Sequence, residues 1–208
     1  IEASLGVATV AGAYVGFVGA FTLWAWLEHS YLAGVITGPQ RGSCPPDASG
    51  AQRFVLGVGL SLYHELSVIA VGAVLIWLSL DAANPMAAWT FGTLWIMRWS
   101  AKLNLFLGVA NMDLGLLPER LRYLATYMNR RSMNALFPFS ILGGMLLLMF
   151  HVNTLQGSEP GSYATVAAVL LATLTALAVM EHCVMMLPFR DSRLWRWAAQ
   201  RDLLRRQV

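Results

Sequence analysis

Met97-Arg98-Trp99-Ser100-Ala101-Lys102-Leu103-Asn104-Leu105-Phe106-Leu107-Gly108 reads as the second half of an apolar helix, yet it holds an arginine and the single lysine of the chain. Arg98 and Lys102 are four residues apart and share one helical face. Two cations on one face of a membrane-spanning segment are costly and need partners. Candidates recur elsewhere in long apolar runs, as Glu28-His29, His64-Glu65 and Glu181-His182.

The 208 residues are 57% hydrophobic and 12% charged, against about 25% charged in soluble domains. Five apolar runs account for this, several near the roughly 20 residues needed to cross a bilayer. The chain is therefore predicted to be all-α, a single polytopic membrane helix bundle over residues 1–208 with about five spans and amphipathic surface helices. It begins at Ile1 without methionine and is span-like from the start, so its native N-terminus, and any further spans there, are expected to be missing.

The spans are predicted at about Ser4–Ile36, Phe54–Leu80, Met86–Val109, Leu136–Phe150 (the shortest) and Tyr163–Leu187. Ala8, Gly12 and Gly16 form a small-residue stripe that suits either internal packing or a partner interface. Residues Asn111–Arg131 read as a basic surface helix, with Leu121, Leu124 and Met128 opposed to arginines. The tail Phe189–Val208 reads the same way. Two, four and six arginines fall in the segments Gln40–Arg53, Asn111–Arg131 and the tail, and none in the two intervening turns. This alternation predicts a cytoplasmic C-terminus. Basic segments beside spans suit phospholipid surfaces and not nucleic acid. Cys44 and Cys183 offer neither a disulfide framework nor a CxxC motif.

At 1.5 Å per residue the buried ionisable groups lie roughly 10–16 Å from the cytoplasmic ends of their helices. One shared cluster is expected: Glu28, Glu65 and Glu181 against Arg98 and Lys102, with His29, His64 and His182 beside them. It reads first as a structural ion-pair network. Glu28, His64, Glu65, Glu181 and His182 are also credible metal ligands. A histidine could instead hold a chlorin or haem, and a proton relay stays open. The Glu-x-x-His signature of di-metal bundles is absent, as are nucleotide loops and nucleophile elbows. His151 is expected to be interfacial. No catalytic residue is indicated.

LWIMRWSAKLNLFLGVAN (94–111), LPERLRYLATYMNRRSMNALFP (117–138), LAGVITGP (32–39), LYHE (62–65) and EHCVMMLPFRDSRLWRW (181–197) together resemble the photosynthetic complex assembly protein 2 (PuhE) family of anoxygenic phototrophs. Arg98, Ser100, Lys102, Asn104, Gly108 and Asn111 carry the central motif; Ala110 departs from it, standing where a proline is expected. The resemblance implies a multi-pass protein of the bacterial inner, intracytoplasmic photosynthetic membrane. Its implied partners are reaction-centre and light-harvesting subunits, with phospholipids around it. No cofactor is firmly implied; bacteriochlorophyll, carotenoid, bound lipid or a metal are the options. The functional expectation is an assembly factor or accessory subunit, the alternative a membrane enzyme or pigment handler using the Glu/His cluster.

Overall fold

The structure, a computed structural model, describes residues 1–111 and 119–187. Within them the chain is helical: α1 Val10–Leu32, α2 Gly50–Gly59, α3 Leu62–Ser79, α4 Met86–Leu107, α5 Phe137–Gln156 and α6 Tyr163–Met186. Short 3-10 segments cover Glu2–Ser4 and Glu119–Tyr127. Among the described residues four helices, α1, α3, α5 and α6, are long and apolar enough to cross a membrane. The polytopic helical bundle expected from composition is what the chain forms.

Local chemistry sets the helix ends. Thr9 caps α1 by accepting from Gly12 N, and Ser162 caps α6 by accepting from Thr165 N. Ser49 and Gln52 form a reciprocal capping box at the start of α2, satisfying two otherwise orphaned donors. Pro138 occupies the first turn of α5, where its missing N–H costs nothing. The helix is 20 residues long, so α5 is not the shortest crossing helix; α3, with 18, is.

The predicted second span is broken in two at Leu60-Ser61. The loop after α1 supplies the reason. Gln40 N donates to Gly59 O at 3.2 Å, and His64 N donates to Thr37 O at 3.0 Å. The loop thus takes over backbone groups that a continuous helix would pair internally. Gly38 seats it: a Cβ there would stand 2.0 Å from Gly59 O.

The small-residue stripe is an internal contact, which corrects the partner-interface option. A Cβ at Gly16 would meet Met86 Cβ at 3.0 Å, and one at Gly12 would meet Asn84 Nδ2 at 3.1 Å. These glycines let α1 close on the start of α4, while Ala8 is exposed ahead of the helix. Asn84, 1% exposed, fastens that end. It donates to Ser4 O and accepts from Met86 N and the Tyr163 hydroxyl.

The bundle is organised around α4, which contacts α1, α3, α5 and α6. Ala20, Trp24 and Leu27 of α1, Val68 and Leu75 of α3, and Phe91 of α4 form the main apolar core. At the other end, Leu121, Leu124 and Tyr127 of the 3-10 segment pack on Tyr31 and Leu60. The surface segment therefore buries the predicted apolar face, but as a 3-10 run; residues 112–118 and the predicted tail helix lie outside the described residues.

Candidate functional site: a two-sided polar helix

Four of the ionisable residues picked out from sequence meet directly. Arg98 Nε donates to both carboxylate oxygens of Glu28, at 3.2 and 3.1 Å, and its Nη2 lies 3.1 Å from Oε2. One turn along, Lys102 Nζ donates to Glu65 Oε1. α4 is thereby pinned to α1 through one pair and to α3 through the other. His64, 1% exposed, reaches Glu28 with Nε2 at 3.5 Å. Two carboxylates face two cations, as a low-dielectric setting demands, because an unpaired buried charge is strongly destabilising.

Three further residues complete this cluster, none of them expected as a member. Trp99 Nε1 donates to Glu65 Oε2 at 2.9 Å. Ser61 Oγ, freed by the helix break, donates to Glu65 Oε1 at 3.5 Å. The Tyr31 ring lies 5.3 Å from Lys102 Nζ and 4.9 Å, centroid to centroid, from His64. Ser61 was legible as the residue one turn before Glu65, and Trp99 as an indole donor adjoining the charged face.

The remaining predicted members lie elsewhere, so the single shared cluster is corrected to two. Ser100 and Asn104 project from another face of α4. Asn104 Nδ2 donates to Ser140 Oγ of α5 at 2.8 Å. His182 of α6, 1% exposed, has Nδ1 2.8 Å from Ala178 O and Nε2 2.9 Å from Ser100 Oγ. A carbonyl can only accept, so Nδ1 carries a proton, and Nε2 joins the ring to the Ser100 hydroxyl. His29 and Glu181 are exposed. Glu181 acts on Arg98 through space, but forms no ion pair among the described residues. The histidine next to each acid therefore follows helix geometry: neighbours project about 100° apart.

The rest of the central motif closes the end of the bundle. Asn134, which the sequence reading passed over, donates to Asn104 O and Gly108 O and accepts from Leu136 N and Phe137 N. One side chain thus joins the end of α4 to the start of α5. Asn111 N donates to Met185 O at 2.9 Å, holding the end of α6.

The residues do not fit a metal centre. Among the described residues no three His, Cys, Asp or Glu side chains gather to hold an ion. Glu28 and Glu65 are engaged by cations, both ring nitrogens of His182 are occupied, and Glu181 points away. His151 is 3% exposed, packed inside the bundle near the end of α5, and its Nε2 is buried without a partner among the described residues. Cys44 and Cys183 are free thiols.

Residues 2–205 match the family described as protein of unknown function (DUF3623). The chain belongs to this family. A curated relative from Rhodobacter capsulatus, named "Uncharacterized 30.4 kDa protein in puhA 5'region", is 41% identical over 195 residues. The alignment covers 91% of this DUF3623 chain and 69% of the relative. No solved structure matches.

Proposed function

We propose that the chain is a photosynthetic complex assembly protein of the PuhE type. In this reading it is a multi-pass assembly factor or accessory subunit that contacts reaction-centre and light-harvesting subunits in the bacterial inner membrane. The observation that carries the proposal is the relative in the puhA 5' region, a photosynthesis gene region, which agrees with the motif resemblance at residues 94–111. The polar chemistry favours a scaffold over a catalyst. Glu28 and Glu65 pair with Arg98 and Lys102, and these pairs fix α4 against α1 and α3. We assign no reaction to it.

Contact with partners would fall to the outward apolar faces. Phe139, Leu142, Leu146, Met149 and Phe150 of α5 are each more than half exposed. The arginine-rich end of the bundle would face the cytoplasm.

The test is purification of a tagged chain, expressed at native level in a phototroph and extracted in mild detergent. Reaction-centre and antenna subunits are expected to accompany it at fixed ratio. Recovery of the chain alone and pigment-free would overturn the reading.

A further inference from the structure

Lys102 has more donors than its ion pair uses. An ammonium carries three N–H groups. Lys102 gives one to Glu65, and no other described side chain or carbonyl accepts from it. Arg98 is in the same position, since Glu28 occupies Nε and Nη2 but not Nη1. Both side chains line a half-open cavity of about 280 Å³ between α1, α2, the start of α3, α4 and the 3-10 segment. Apart from these groups, Glu65 and Ser61, its walls are apolar and aromatic, with Tyr31, Phe54 and Phe106 among them.

Three features of the cavity define an occupant. Its volume is near the lower end, about 300 Å³, of small-molecule sites, which suits one ring and a short chain. The local charge is already balanced, so a full anion would add an uncompensated charge in a low-dielectric place. A neutral acceptor would satisfy the spare donors without that cost. The polarity also runs inward. Lys102 lies six residues, about 9 Å at 1.5 Å per residue, inside the end of α4 at Gly108, whereas Phe106, with Phe54 packed edge-on against it, lies nearer that end. A glycerolipid has the opposite order, with its polar group at the surface and its methyl ends deep.

We propose that this cavity binds a neutral, flat ring compound of the quinone type, its carbonyl oxygen entering first to accept from Lys102 and Arg98 while aromatic side chains flank the ring. The site is independent of the assembly role: its failure leaves that role standing, and the reverse also holds.

The experiment uses the full chain in mild detergent with 2-decyl-1,4-benzoquinone as probe and decylbenzene as the chain-matched control without carbonyls. The quinone is expected to raise the Tm saturably, by at least about 5 °C at a hundredfold excess over Kd; decylbenzene is expected to leave it unchanged. Gly57→Leu fills the cavity from α2. A Cβ there meets only Phe106, at 3.8 Å, and leucine is the better helix former. That variant is expected to keep the wild-type Tm and lose the shift. If it does not accumulate, Leu103→Trp blocks the same space from α4 and is read the same way. Equal shifts with both compounds, no shift with the quinone, or an undiminished shift in the filled variant would overturn the proposal. So would native mass spectrometry showing a phospholipid retained by the wild type and lost from Gly57→Leu.

Discussion

Arg98 grips Glu28 through both carboxylate oxygens, with three nitrogen–oxygen separations between 3.1 and 3.2 Å, and so couples α4 to α1 across the middle of the bundle. A pair of this kind contributes little net stability compared with well-packed apolar residues, but breaking it by removing one partner costs about 3–5 kcal/mol. Glu28→Leu and Arg98→Leu are therefore each expected to reduce the accumulated protein severely. The double variant should be less harmful than the sum of the two. Immunoblots and thermal unfolding of the two singles and the double check this; additive losses would show that the pair is not coupled.

Lys102→Met leaves Glu65 buried with only Trp99 and Ser61 as donors, neither of them charged. Loss of accumulated protein is expected, and Lys102→Met with Glu65→Gln should recover part of it. Trp99→Phe is the milder test of the same carboxylate. It removes one hydrogen bond to a charged group, worth about 1.5–3 kcal/mol, and should lower the Tm without abolishing folding. An unchanged Tm would mean that the indole contributes nothing to Glu65.

Asn134 makes four hydrogen bonds at the junction of α4 and α5. Asn134→Leu strands those groups in a buried place, at about 1–3 kcal/mol for each that water cannot reach. A Tm loss larger than that of Trp99→Phe is expected.

The legibility of these residues followed their chemistry. Arg98, Lys102, Glu28 and Glu65 stood out because a charge inside an apolar run has few physical options, and same-face spacing already joined the two cations. The division into two clusters was hidden because it depends on how α4 is rotated, which depth along a helix does not specify. His29 and Glu181 have suitable depth but outward directions. The break at Leu60-Ser61 was hidden for another reason. Phe54–Leu80 holds no proline and reads as one long, mostly apolar run, and the interruption comes from Thr37–Gln40, remote in sequence, competing for its backbone hydrogen bonds. Asn134 looked like an ordinary loop residue, since its capping role needs the end of α4 beside it.

The close approach of Gly38 to the helix break provides the most stringent test of that strap. Nothing short of backbone movement accommodates even a methyl group 2.0 Å from Gly59 O, because the obstructing atom is a carbonyl held by Gln40 N and not the end of a flexible side chain. Gly38→Ala should therefore pull Thr37 and Gln40 away from α2 and α3, releasing His64 N and loosening the ring contact between His64 and Tyr31. The expected loss is at the upper end of the about 1–3 kcal/mol typical of overpacking, or beyond it. Amide hydrogen exchange should show faster opening at Leu60–Glu65 than at the middle of α6. Gly143→Ala is the matched control, because a Cβ there meets nothing within 4 Å, and it should keep the wild-type stability or raise it by up to about 1 kcal/mol, alanine being the better helix former. If Gly38→Ala behaves like Gly143→Ala, the loop does not hold the break and the two-helix form of this segment has another cause.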